Sequence, residues 1–236
     1  ISTGRSEDKF GISEDKIVKV FQHYKENKYL NLNGLSIHIG SQISKIAPFR
    51  KAFKKIRNLI LSLKENDIFI DSLDIGGGIG IVYEAQKDKV FQISDYALLV
   101  ENNFADLGIE IIIEPGRFLV GASGVLITKV IRIKNGKNKD FLIVDAGMNN
   151  LLRPSLYSSK HSIFPIKSGN KKIKYDIVGP ICETSDVFRK NYFLSKQKRN
   201  DFIIICSVGA YGSSMSSDYN LRGFAKEILV EGNKIL

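Results

Sequence analysis

Tryptophan is absent from the 236 residues, methionine and cysteine occur only twice each, and histidine three times. Two cysteines, Cys182 and Cys206, are too few for a disulfide framework and lack zinc-type spacing, so reduced thiols are expected. His23, His38 and His161 are dispersed, which argues against a metal cluster. No apolar run approaches the ~20 residues needed to span a bilayer, and the chain does not open on a charged-then-apolar secretion signal. A cytoplasmic protein without a membrane partner is expected. Acidic residues are outnumbered, 25 against 35 lysines and arginines, for a formal charge of +10. Such an excess raises nucleic acid as a partner. Its distribution argues otherwise: Lys54-Lys55, Lys171-Lys172 and Lys196 to Arg199 are scattered rather than aligned in one stripe, and no nucleic-acid motif is present. Solvated surface lysines, and no nucleic-acid partner, are expected.

What is present is enough apolar sequence, 43%, to bury a sizeable core in one large or two modest domains. Ile1 to Ile12 is turn-rich. Ser13 is a candidate N-cap, with Glu14 and Asp15 in the first turn and Ile17, Val20, Phe21 and Tyr24 at helical spacing. Leu32 to Ile39 alternates as a strand, with Leu35, Ile37 and Ile39 on one face and Ser36 and His38 on the other. A helix carrying Phe49, Phe53, Ile56, Leu59, Ile60 and Leu63 follows, then a strand over Ile68 to Ile75 that stops in the glycine-rich run Gly76 to Gly80. Glycines there admit φ > 0 and let backbone N–H groups converge on an anion such as a phosphate; a simple bend is the alternative. A helix around Ser94 to Phe104 leads to a strand over Ile109 to Ile113, closed by Glu114-Pro-Gly-Arg117. Strand followed by helix at ~40-residue intervals implies βα units of a parallel sheet. The polar or glycine-rich strand ends, His38 to Ser41, Gly76 to Gly80 and Glu114 to Arg117, point to one ligand site.

After Arg117 the rhythm changes. Val120 to Ile133, Phe141 to Asp145, Ile173 to Val178 and Phe202 to Val208 read as strands, with hairpin turns at Asn135-Gly136 and Glu231 to Lys234. A boundary near 117–121 is expected, giving a βα unit over 1–118 and an all-β domain over 119–236.

Read singly, the candidate residues leave alternatives open. His38 can face a flat ring or be hydrogen-bonded in the core. Glu114 can be a turn ligand or a catalyst, and Arg117 can bind an anion or pair with Glu114. Arg153 and Tyr157, four residues apart, suit carboxylate recognition by a guanidinium fork plus a hydroxyl, or form a surface turn. Gly179-Pro-Ile-Cys182-Glu183 sets a thiol beside a carboxylate after a turn, where a cysteine is either reactive or a small buried hydrophobe. Cys206 lies in an apolar run and is expected in the core. Tyr211, after Gly209-Ala, offers a phenol to a phosphate, and Tyr219 is a weaker candidate.

In combination, His38-Ile-Gly-Ser41, Asp74-Ile-Gly-Gly-Gly-Ile-Gly80, Glu114-Pro-Gly-Arg117, Gly179-Pro-Ile-Cys-Glu183 and Gly209-Ala-Tyr211 resemble the pyridoxal-phosphate amino-acid decarboxylases of the alanine-racemase-like fold. Within that superfamily, Ile1-Ser-Thr-Gly4, Lys9-Phe-Gly11, Asp145-Ala-Gly-Met148, Arg153-Pro-Ser-Leu-Tyr157 and Met215-Ser-Ser-Asp-Tyr-Asn220 resemble the diaminopimelate decarboxylases. The resemblance implies an α/β fold, the C-terminal part of a (β/α)8 barrel followed by a β domain, an obligate homodimer with shared sites, pyridoxal 5'-phosphate as cofactor, and decarboxylation of meso-2,6-diaminopimelate to L-lysine. It implies that Gly76, Gly77 and Gly78 hold the cofactor phosphate with Ser41, Arg117 and Tyr211, that Gly116 also binds the cofactor, that His38 stacks on the pyridine ring, and that Glu114 bonds the ring nitrogen. Cys182 would reprotonate Cα from the partner subunit. Arg117, Arg153, Tyr157 and Tyr211 would bind the substrate carboxylates, and Glu183 its distal amine.

The family's covalent lysine sits in a Tyr-Ala-x-Lys strand end that this sequence lacks. The chain is therefore expected to be the C-terminal portion of a longer enzyme, short by about 150 residues or more given ~250 for a full barrel. Competing expectations are a related decarboxylase of another basic amino acid and a non-catalytic homologue that only dimerises or binds a partner.

Overall fold

The structure, a computed structural model, describes residues 9–84 and 87–236. The Ile1 to Gly4 motif lies outside the described residues. Two compact units are formed, one by residues 9–82 with Lys89–Phe118, the other by Tyr83–Asp88 with Leu119–Leu236.

In the first unit, α1 (Glu14–Tyr24) follows Ser13, whose backbone is extended but whose side chain makes no cap hydrogen bond, contrary to expectation. The helix start rests instead on the carboxylates of Glu14 and Asp15 near its positive end. β1 (Gly34–Ser36), β2 (Ser72–Asp74) and β3 (Glu110–Ile112) form a parallel sheet in that order, with Leu35, Leu73 and Ile111 in register. The ladders are shorter than the apolar runs that announced them.

The crossovers are α2 (Ala47–Glu65), with Pro48 tolerated in its first turn, and α3 (Ile93–Phe104). Phe49, Phe53, Ile56, Ile60 and Leu63 recur every three or four residues of α2, so one stripe of the helix enters the core against Leu73, Tyr96 and Phe104. The rings meet edge-on or tilted, Phe49 to Tyr96 at 5.1 Å and Phe53 to Phe104 at 5.2 Å between centroids. The opposite face of the sheet carries Ser36, Asp74 and Ile112, none of them fully buried.

α4 (Gly116–Val120) and a 3-10 turn at Gly121–Ser123 occupy the start of the stretch expected to be a strand from Val120. β4 (Leu126–Asn135) begins only beyond them. The cause is tertiary: a β-carbon at Gly209 would lie 2.0 Å from the Val120 carbonyl, and one at Gly124 2.7 Å from the Gly209 backbone. Two backbones touch there, and Gly121, Ala122 and Gly124 bring little β-propensity of their own to oppose it.

The second unit is built on a six-stranded sheet of order β6-β9-β4-β5-β7-β8. β5 (Asp140–Val144) and β7 (Lys172–Val178) run parallel; the other neighbours are antiparallel. β9 (Phe202–Ile205) matches an expected strand, whereas β6 (Ile163–Pro165), β8 (Val187–Ser195) and the short helix α5 (Arg153–Tyr157) were not foreseen. Val130, Leu142, Val144, Leu151, Tyr175, Ile177, Ile203 and Ile205 form its interior. Cys206, expected in the core, is only half-buried just past β9, and burial pushes its thiol up. β10 (Val230–Glu231) and β11 (Lys234–Ile235) form the expected terminal hairpin around Gly232.

Phe53 is fully buried, whereas Phe69 is 68% exposed. In the intact protein Phe53→Ala is expected to cost about 3–5 kcal/mol in urea denaturation, and Phe69→Ala less than about 0.5 kcal/mol. The buried Tyr96 hydroxyl has no hydrogen-bond partner among the described residues, and burial pushes it up to about 12. Tyr96→Phe is expected to leave stability unchanged or raise it by up to ~1 kcal/mol.

Arg57 Nη2 meets Asp106 Oδ2 at 2.6 Å and holds that carboxyl down at about 2. A depressed folded-state value stabilises above the unfolded value of ~3.9 and is lost as pH falls through about 2. An NMR titration of Asp106 checks this, with Arg57→Ala returning it towards ~3.9.

Candidate active site

The glycine run does more than leave room for an anion. Gly76 and Gly78 have φ of +68° and +86°, where glycine is favoured. A β-carbon at Gly76 would lie 2.3 Å from the Ile37 carbonyl, at Gly77 2.0 Å from the Glu114 carbonyl, and at Gly78 2.2 Å from the Gly40 carbonyl. The loop is wedged between the segments that leave β1 and β3, and only residues without side chains fit. Hydrogen bonds complete the seat: Ile37 N–H donates to Asp74 O (2.8 Å), Ile43 N–H to Gly78 O (2.9 Å) and Glu114 N–H to Gly76 O (2.9 Å). Asp74 Oδ1 accepts from Gly76 N–H at 2.8 Å and pins the turn from within. The sequence reading assigned Asp74 no role of its own; its position two residues before the first glycine is the signal that could have found it.

Around this loop the first unit gathers the residues singled out at its strand ends. His38 is exposed, not buried in the core, and its Nδ1 faces Gly77 N–H at 3.4 Å. Glu114 is exposed. Arg117, on α4, is 6% exposed and donates from Nη2 to Ser41 Oγ at 3.0 Å. A guanidinium, a hydroxyl and a loop of bare backbone form a donor set suited to a phosphate, and an exposed imidazole and carboxylate at the neighbouring strand ends suit an aromatic heterocycle with a basic nitrogen.

The second unit gathers a different set. Arg153, at the start of α5, is 4% exposed, so the surface-turn alternative fails for it. Its guanidinium carbon lies 5.6 Å from the ring centres of Tyr83 and Tyr157 and 5.7 Å from that of Tyr211. Three aromatic faces thus hold a cation with little exposure to water, a favourable arrangement for a delocalised guanidinium. Tyr157 and Tyr211 stay 45% exposed, whereas Tyr83 is buried. Tyr211 has φ +60°. Tyr83 was missed: nothing in its local sequence ties it to residues 70 and more positions away.

Cys182 is exposed, which removes the reading of it as a small buried hydrophobe. Beside it Glu183 accepts a 2.5 Å hydrogen bond from the Tyr219 hydroxyl, and this bond raises Tyr219 above the ordinary phenol value. Beneath the turn lies Asp186, also missed, 3% exposed. Its Oδ1 accepts from Met148 N–H at 2.7 Å and its Oδ2 from Ile181 N–H at 2.8 Å. Burial pushes this carboxyl above its ordinary range, against the pull of the two amides. Ser155 Oγ on α5 donates to Ser185 O at 2.7 Å, so the Arg153 helix and the Cys182 turn are tied directly.

Residues 1–121 match the family described as pyridoxal-dependent decarboxylase, pyridoxal binding domain. A diaminopimelate decarboxylase of Aquifex aeolicus is 41% identical over 236 residues, which is all of this chain and 56% of that protein. The crystal structure of diaminopimelate decarboxylase from Helicobacter pylori complexed with L-lysine is 43% identical, with a TM-score of 0.93 over 100% of this chain and 58% of that one. A lysine/ornithine decarboxylase from Vibrio vulnificus complexed with cadaverine is 25% identical, with a TM-score of 0.85 over 93% of this chain and 60% of that one. The chain spans a little over half the length of these relatives.

Gly77→Ala forces a β-carbon onto the Glu114 carbonyl, whereas one at Gly116 would meet nothing within 4 Å. Thermal unfolding of the intact protein is expected to show Gly77→Ala destabilised by about 1–3 kcal/mol and Gly116→Ala unchanged within ~0.5 kcal/mol.

Proposed function

The chain belongs to the pyridoxal-dependent decarboxylases, and we propose that the intact enzyme converts meso-2,6-diaminopimelate to L-lysine and CO2 with pyridoxal 5'-phosphate. The observation that carries the substrate assignment is the buried Arg153 among its three tyrosines. A guanidinium held there suits a carboxylate at the far end of the substrate; ornithine and arginine have none. The greater similarity to diaminopimelate decarboxylases than to a lysine/ornithine decarboxylase supports the same reading.

In this proposal the phosphate would be held by the backbone of Gly76, Gly77 and Gly78 with Ser41, Arg117 and Tyr211, and Gly116 would also line the cofactor. His38 would pack against the pyridine ring, and Glu114 would accept a hydrogen bond from the ring nitrogen. When bound, the cofactor supplies an electron sink for the charge left at Cα as CO2 departs. The chain's residues do the rest. Arg153 and Tyr157 bind the distal carboxylate, Arg117 and Tyr211 assist at the carboxylates, and Glu183 takes the distal ammonium. Cys182 delivers a proton to Cα, acting on the partner's site in a homodimer. Its exposure leaves the thiol open to a substrate. A cytoplasmic location suits a reduced thiol.

The test is CO2 release by the full open reading frame, loaded with pyridoxal phosphate, from meso-diaminopimelate beside ornithine and arginine. Turnover of diaminopimelate alone is expected; turnover of ornithine without it overturns the assignment. Cys182→Ala is expected to lower kcat by ~100-fold or more, and Cys206→Ala by no more than about twofold.

A further inference from the structure

The turn that carries Cys182 has one buried charge beneath it. Asp186 closes that turn on itself, since Oδ2 accepts from Ile181 N–H, the residue immediately before the thiol, and Gly179 N–H donates to Asp186 O at 3.0 Å. The same carboxylate reaches out of the turn, since Oδ1 accepts from Met148 N–H in the loop leading to α5. Gly179 makes room for it: a β-carbon there would lie 2.3 Å from Oδ2. Further backbone bonds, Glu183 N–H to Ile181 O at 2.8 Å and Asp186 N–H to Glu183 O at 3.1 Å, tighten the segment. One side chain thus joins the thiol-bearing turn to the segment that presents Arg153.

We propose that Asp186 is a positioning residue for the Cys182 thiol, its two carboxylate oxygens fixing the Gly179–Asp186 turn against the Met148 loop so that the proton is delivered from one defined place. The inference rests on the proposed acid role of Cys182. The geometry calls for two acceptors, because both partners are backbone N–H donors. Asparagine has nearly the same shape but turns one oxygen into an NH2 that faces an amide donor, so one bond is lost and a repulsion replaces it. Displacement of a reacting group by about 1 Å is enough to cost ~100-fold in rate.

The test is a double-mutant cycle in the full-length holoenzyme. Asp186→Asn is expected to lower kcat by at least about tenfold and change KM by less than about threefold. In a Cys182→Ala background it is expected to cost nothing further, because a residue that acts only through the thiol has nothing left to position. Hydrogen exchange supplies a readout that does not depend on turnover: the Ile181 or Met148 amide, or both, lose protection in Asp186→Asn while amides of the β4–β5 hairpin keep theirs. Gly179→Ala, which crowds the carboxylate with Asp186 retained, is expected to give the same pattern. Equal fold-losses with and without Cys182 overturn the inference and make Asp186 a general structural residue, as does failure of both variants to fold. A Cys182→Ala enzyme as fast as the parent overturns instead the acid role on which the inference stands.

Discussion

Carbonyl oxygens of Ile37, Gly40 and Glu114 stand within 2.0–2.3 Å of where the β-carbons of residues 76, 78 and 77 would be. Steric exclusion at these three points lets the C-terminal ends of β1, β2 and β3 converge, and the rest of the first unit is disposed around that convergence. His38 and Ser41 leave one side of the wedge and Glu114 and Arg117 the other, next to backbone that Ile37, Ile43 and Glu114 tie to the loop by hydrogen bonds. The aromatic stripe of α2 and α3 supplies the cohesion that holds the sheet while its ends are drawn together.

The second unit handles charge differently. Asp186 is buried against two amide donors, and Arg153 is set among aromatic faces. Ions removed from water cost several kcal/mol unless the surroundings answer them. Amides and ring faces are fixed dipoles and quadrupoles that need no reorganisation when a charged ligand arrives, so such groups stay in place as charge nearby is made or removed.

The parallel βα units, the helix periods and the terminal hairpin were legible because their signals are local: repeated apolar spacing and turn glycines. β8 was not, because Val187 to Ser195 mixes Arg189, Lys190 and Asn191 into its middle, and Asn191 has φ +53° where the pairing with β7 shifts register. β6 is only three residues and ends in Pro165, which reads as a breaker. The candidate residues at strand ends could be picked out by motif. Tyr83 and Asp186 could not, since each matters through what it touches, and those contacts exist only once the chain is folded. His38 and Cys182 were ambiguous for the same reason, exposure being a property of the neighbours.

The loop Tyr83–Asp88 leaves the first unit, serves the second and returns. Within the second unit Tyr83 forms one wall around Arg153, and Glu84 meets Arg189 of β8 at 2.9 Å with both side chains largely buried. Burial pushes the Glu84 carboxyl up, yet Arg189 and Lys87 outweigh it and hold it below its usual range. The sheet-based unit is therefore not a module in the sense used for grafting or shuffling. Residues 119–236 transplanted alone would carry a cation enclosure lacking one face and a nearly buried guanidinium without its counter-ion. Exchange of this half between relatives, by recombination or by design, has to move the six-residue loop with it.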